Sequence, residues 1–245
     1  MNSTLRIGKS VINSVIKRMG VRLVNSDWGP RGFAATFAKL KQCGVELSVI
    51  YDVGASDGSW ALETKKVFPR ATYALFEPLS EYRATLVNLA DGDSHIKFLR
   101  CALGSTRGEF ELNCHDGQSS FLESTSWKTQ RLKVPVETLD DLVETNKLPP
   151  PSLIKADIQG YELEMLKGAE ETLKSCNFLF LEVSWLQIYE GGPYAGEILG
   201  FLAERGFHVY DICSYSMRPL DGRLTQSDVL FAHERTGLFS KRCWS

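Results

Sequence analysis

Residues 48–58 read Ser48-Val49-Ile50-Tyr51-Asp52-Val53-Gly54-Ala55-Ser56-Asp57-Gly58. An apolar run ends in an acid and a glycine, a second glycine follows four residues on, and a helical pattern begins behind it over 59–67. This order predicts a strand, a tight turn and a helix. A glycine at the strand exit lets backbone pass close to a ligand with no Cβ in the way. Ligands of open α/β sheets lie beyond the carboxyl ends of the strands. The turn therefore marks a binding edge, with Asp52, Gly54, Ala55, Ser56 and Asp57 as candidate cofactor-binding residues.

The spacing within the turn discriminates between cofactors. A dinucleotide fold wants G-x-G-x-x-G so that a pyrophosphate can sit on the helix N-terminus, whereas the pattern here is Gly54-x-Ser56-x-x-Ser59. Asp52 and Asp57 place two carboxylates near the turn, which repel phosphate but suit a cofactor carrying an ammonium and a sulfonium. The sign of the charge favours S-adenosylmethionine, with S-adenosylhomocysteine as its product, over a nicotinamide dinucleotide.

Outward from the turn, strand-like runs at 48–52, 72–76 and 96–103 alternate with helical runs at 59–67 and 80–89. Such alternation implies parallel strands joined by crossover helices. Two short alternating runs, 108–113 and 131–136, flank a polar stretch and predict a hairpin excursion. The rhythm resumes with a helix at 139–143, a strand at 152–156, a helix at 161–172, a strand at 178–183 and a helix at 195–205. Runs at 207–212 and 227–233 close the sheet, giving about seven strands.

Glu77 closes the second strand, followed by Pro78, and lies 23 residues after Gly54. That is near the spacing expected of a ribose-binding acid. Cys101 and Ala102, on the third run, have side chains small enough for an adenine to approach the backbone. Asp157 ends the fourth strand, where the reacting methyl group should sit. It is a candidate for anchoring cofactor, orienting substrate or accepting a proton, and equally for capping the next helix. Glu182 ends the fifth strand, so two carboxylates should lie side by side, able to share a proton or hold a hard cation. No further ligand can be assigned, and no metal site is predicted. His115, in the hairpin loop, is a third candidate base.

The composition, 43% hydrophobic and 24% charged over 245 residues, is that of an ordinary globular protein. A formal net charge of −2 supplies no basic field for nucleic acid. A small-molecule, sugar or glycan acceptor fits better. Six scattered cysteines without a C-x-x-C pair read as reduced thiols of a cytoplasmic protein. No apolar run reaches the length of a membrane-spanning helix. Residues 1–24 carry Arg6, Lys9, Lys17, Arg18 and Arg22 with no acid and an apolar stripe at helical spacing. Two readings of this basic amphipathic helix stay open: peripheral contact with an anionic membrane surface, or packing on its own domain or on a second copy in a homodimer.

Together, 52–58, Phe76-Glu77-Pro78, 134–140, 154–162 and Leu166-Lys167-Gly168-Ala169 resemble the FkbM family of methyltransferases. Leu181-Glu182-Val183-Ser184, Tyr189-Glu190-Gly191 and Asp221-Gly222-Arg223 extend the resemblance over roughly residues 45–235, while the N-terminal forty or so match nothing in it. The resemblance implies a class I methyltransferase fold: an α/β Rossmann-like sandwich whose seven-stranded, mostly parallel sheet has its last strand antiparallel. A helical appendage at 1–44 would precede a catalytic domain at 45–245. It also implies O-methylation of a sugar, glycan or polyketide-like hydroxyl. Asp52, Gly54 and Asp57 would belong to the cofactor turn, Glu77 to the ribose and Asp157 to the active-site edge. A nicotinamide-dependent oxidoreductase and a catalytically silent binding module are the competing readings.

Overall fold

In the computed structural model, which describes residues 30–114, 119–123 and 130–240, the chain begins with α1 (Phe33–Gln42), β1 (Val49–Val53), α2 (Ser59–Val67), β2 (Thr72–Phe76), α3 (Ser80–Gly92) and β3 (Ile96–Leu99). Next come β4 (Ala102–Leu103), β5 (Gly108–Cys114), β6 (Gln130–Glu137), α4 (Leu139–Asn146) and β7 (Leu153–Ala156). The rest is α5 (Glu162–Lys167), α6 (Glu170–Leu173), β8 (Phe178–Ser184), α7 (Ala195–Ala203), β9 (Phe207–Met217) and β10 (Leu224–His233).

Seven strands form the main sheet in the order β3-β2-β1-β7-β8-β10-β9. All neighbours run parallel except β10, which is antiparallel to both β8 and β9. This is the sheet the resemblance implies. Chain order reverses between β1 and β7, and such a switch point is where an open sheet leaves a crevice for ligand. Strands β1 and β7 are buried almost throughout, because crossover helices cover both faces of a parallel sheet. Along β1 the pleat sends Tyr51 and Val53 into one apolar layer and Ile50 into the other.

Helix α1 belongs to that second layer. Phe37 and Leu40 are fully buried there, and Phe37 meets Trp60, Phe68 and Phe180 at ring-centroid distances of 5.9, 6.4 and 5.7 Å. The sequence reading groups 1–44 as an appendage, yet α1 shares its core with the sheet, and the compact unit containing the sheet starts at Gly32. The basic stretch 1–24 lies outside the described residues.

Two expected elements divide. The run 96–103 leaves the main sheet after Leu99, and Ala102 and Leu103 pair instead with Val136 and Glu137 in a three-stranded sheet, β4-β6-β5. The expected helix at 161–172 breaks at Gly168, where a Cβ would stand 2.0 Å from the Gly104 carbonyl oxygen. The second piece, α6, is capped from a distance: Asp140 accepts from the N–H groups of Glu171 and Thr172. Among the described residues no helix is long and apolar enough to cross a membrane, and the five cysteines are free thiols.

Candidate active site

A cavity opens at the carboxyl ends of β1, β2 and β7, lined there by Gly54, Glu77 and Asp157. Its floor is set by Gly54. At φ 73° this residue lies in the left-handed region, and a Cβ would fall 2.2 Å from the Asp157 carbonyl oxygen, so only glycine lets the two backbones approach this closely. The turn is pinned to β2 by the N–H groups of Gly54 and Ala55, both donating to the Phe76 carbonyl.

Glu77 faces the turn across the crevice. Its Oε2 accepts from the Ser56 N–H and its Oε1 from the Leu79 N–H, each at 2.9 Å, and the residue is 5% exposed. One backbone donor per oxygen fixes the carboxylate and leaves further lone pairs on each oxygen for a ligand. Burial pushes its pKa up, opposed by those N–H donors and by Lys155. Pro78, Cys101 and Ala102 also line the cavity, as do Leu103, Leu112 and Phe121 opposite them.

Three of the expected cofactor-binding residues do not line the cavity. Asp52 is fully buried and does not line the cavity; its Oδ1 pairs with Lys155 Nζ at 2.9 Å. Asp52 and Lys155 are register partners on β1 and β7, so the carboxylate faces a cation rather than ligand. Lys155 Nζ also donates to the Gly54 carbonyl at 2.7 Å, which ties the pair to the turn from below. Asp57 is exposed and accepts from the Ser59 N–H at 3.0 Å, at the start of α2, which holds its carboxyl low. Ala55 is buried beneath the turn.

Two further acids, Asp157 and Glu182, lie at the ends of β7 and β8. Asp157 lines the cavity and is exposed. It does not cap α5, which starts at Glu162; its Oδ1 accepts from Gln159 Nε2 at 2.7 Å. Glu182, its expected neighbour, accepts from the same Nε2 at 3.4 Å and from Gln226 Nε2 at 2.6 Å. Burial, then the charges of Asp157, Glu162 and Asp228, push Glu182 up to about 9, which favours its protonated form beside Asp157. Burial likewise raises Glu162 to about 7, while its Oε1 accepts from the Ile158 and Gly160 N–H groups.

Sequence reading missed Lys155 and Gln159. A lysine inside an otherwise apolar strand, two residues before an acid, was the available signal for the first. For the second there was only the glycine behind it. Gln159 Oε1 accepts from the Tyr189 hydroxyl at 2.7 Å, and its carbonyl accepts from Ser120 Oγ at 2.6 Å. Ser120 bridges to Asn113 on β5, and the Phe121 ring packs tilted against Tyr161, with centroids 4.8 Å apart. Residues of the hairpin excursion thus roof the cavity. His115 and Trp127 lie outside the described residues. Tyr189 is buried, Trp185 donates to Ser227, and Tyr194 starts α7, half exposed. Among the described residues no cluster of three or more His, Cys, Asp or Glu side chains is arranged to hold a metal ion.

A glycine cradle, a locked carboxylate and an acid edge at a sheet's switch point suit a cationic nucleoside cofactor beside an acceptor. Comparison with known proteins gives the family. Residues 52–209 match the family described as the Methyltransferase FkbM domain. Hexuronic acid methyltransferase AglP of Haloferax volcanii is 26% identical over 176 residues, covering 70% of this chain and 72% of that protein. The 2-O-methyltransferase NoeI of Sinorhizobium fredii is 29% identical over 160 residues, 58% of this chain and 66% of its own length. A solved FkbM methyltransferase from Methylobacillus flagellatus KT aligns with a TM-score of 0.47 at 18% identity, covering 77% of this chain and 44% of that one. The family match alone spans well over half of the sequence, and the chain belongs to the FkbM methyltransferase family.

Proposed function

We propose that this methyltransferase uses S-adenosylmethionine to methylate a hydroxyl of a sugar or glycan in the cytoplasm. The observation that carries the reading is the cavity where Gly54 and Glu77 face Asp157 across the switch point. The residues fit the cofactor: the Gly54 cradle excludes any larger side chain, and Glu77 retains lone pairs for ribose hydroxyls. Cys101, Ala102 and Leu103 offer a narrow, largely apolar slot for an adenine. When bound, the cofactor supplies an electrophilic methyl group on a positively charged sulfur.

This chain's own residues supply placement and a proton acceptor. The Ser120–Phe121 segment keeps water from one side of the cavity. Asp157 accepts the acceptor hydroxyl's proton, and the raised pKa of Glu182 limits the negative charge beside it. His115 and a bound divalent cation are the alternatives to this assignment. The sugar class rests on the two relatives, one named for hexuronic acid and the other for 2-O transfer.

The test is incubation with methyl-labelled S-adenosylmethionine and a panel of methyl glycosides of hexuronic acids and neutral hexoses, read by mass spectrometry. A labelled methyl on a glycoside oxygen is expected. Binding of S-adenosylhomocysteine without transfer to any glycoside would contradict the acceptor class, and absence of binding would contradict the cofactor. For residues 1–24 we propose either vesicle association or dimerisation; deletion should change vesicle co-sedimentation or light scattering, and no change in both would remove the proposal.

A further inference from the structure

Gln159 stands in a conformation that side chains rarely adopt, with φ at 56°. Strain of this kind persists only where surroundings over-determine it. Here Glu162 holds the N–H groups of Ile158 and Gly160 on either side, and Ser120 Oγ holds the Gln159 carbonyl at 2.6 Å. The result is the placement of one amide among three groups. Nε2 donates to Asp157 Oδ1 at 2.7 Å and lies 3.4 Å from Glu182 Oε2, while Oε1 accepts from the Tyr189 hydroxyl at 2.7 Å.

The relay has a single sense. Asp157 Oδ1 accepts from the amide nitrogen, which leaves the amide oxygen toward Tyr189, whose hydroxyl donates to it. Tyr189 lies on the loop after β8, and Ser120 is bridged to β5 of the small sheet. Two segments remote in sequence therefore converge on the residue that orients Asp157.

We infer that Gln159 is a positioning residue for methyl transfer, its amide tying the seating of the Tyr189 loop and the Ser120 segment to the aim of the Asp157 carboxylate into the cavity. Gln159 acts through Asp157. The inference rests on the methyl-transfer reading for its consequence, though the linkage itself can be measured without an acceptor.

The experiment has two arms, each on the full chain. In the first, the ¹³C carboxyl resonance of Asp157 is followed by NMR. Tyr189→Phe is expected to move it in the otherwise unaltered protein and to leave it unmoved in a Gln159→Met background, where the side chain keeps its length but loses its hydrogen bonds. Equal movement in both backgrounds, or none in either, would overturn the linkage. In the second arm, turnover is measured on whichever glycoside the unaltered protein methylates. Gln159→Met should lower kcat roughly tenfold or more with KM for S-adenosylmethionine within about threefold. Tyr189→Phe should add nothing further in the double variant, because the two residues act in one chain. Independent losses that multiply, or a loss confined to KM, would make Gln159 a merely structural residue. Melting curves identify any variant that fails to fold, and Gln159→Asn, which keeps a shorter amide, then replaces Gln159→Met. If no glycoside is methylated, the acceptor assignment fails and the first arm still decides the linkage.

Discussion

At the β1–β2 end of the cavity the fixing groups are main-chain: Glu77 is held by the N–H groups of Ser56 and Leu79, and Gly54 by its approach to the Asp157 carbonyl. At the β7–β8 end they are side chains, with Gln159 and Gln226 carrying the hydrogen bonds of Asp157 and Glu182. Backbone donors on strand ends have few alternative positions, whereas long amides have many rotamers to lose. One end suits a constant cofactor, the other a proton transfer that depends on how an acceptor seats. On this contrast, substitutions at the first end should act on binding and those at the second on turnover.

The largest effect should come from Gly54→Ala. The new Cβ has no room against backbone and the residue's φ is unfavourable for alanine. S-adenosylhomocysteine affinity should fall about 100-fold or more by calorimetry, with a lower melting temperature. Retained affinity would show that the crevice can open and would break the picture of a rigid cofactor end.

Asp157→Asn probes the other end. It keeps the side chain's size and removes its charge, so turnover should fall roughly 100-fold while cofactor affinity changes little. A fall in affinity with kcat unchanged would move Asp157 to the cofactor side of the comparison, and unchanged turnover would direct attention to His115.

Glu182 gives a pH test. Its carboxyl is raised from 4.5 to about 9 in the fold, so between those values the folded state binds more protons than the unfolded chain and stability falls as pH rises. Between pH 7.5 and 8.5, above the range in which Glu162 titrates, the unaltered protein should lose on the order of 1 kcal/mol by chemical denaturation, and Glu182→Gln should lack that slope. A slope of equal size in both proteins over that window would place the titrating group elsewhere.

How far the sequence could be read follows the same division. The order of strands, the Gly54 turn, Glu77 and the acids at the ends of β7 and β8 were legible, since each depends on a local pattern of apolar runs, glycines and strand ends. The neutralisation of Asp52 by Lys155 was not, because it arises from the register of two strands about a hundred residues apart. Nor was the departure of Ala102 and Leu103 into a second sheet, where a continuous apolar run concealed a change of partner. Gln159 was invisible for a related reason: its role is made by Tyr189 and Ser120, which only the fold brings to it. Local patterns place the β1–β2 end of the cavity; the hydrogen-bonding of its β7–β8 end is assembled from long-range contacts.

The most direct test is calorimetric titration of S-adenosylhomocysteine into the unaltered protein and into Glu77→Ala, with NAD as the control ligand. The cavity's assignment predicts binding of S-adenosylhomocysteine, no heat with NAD, and at least about tenfold weaker binding in the variant, since a ribose would lose hydrogen bonds to a charged acceptor worth roughly 1.5–3 kcal/mol each. Unchanged affinity in a folded Glu77→Ala protein would contradict it.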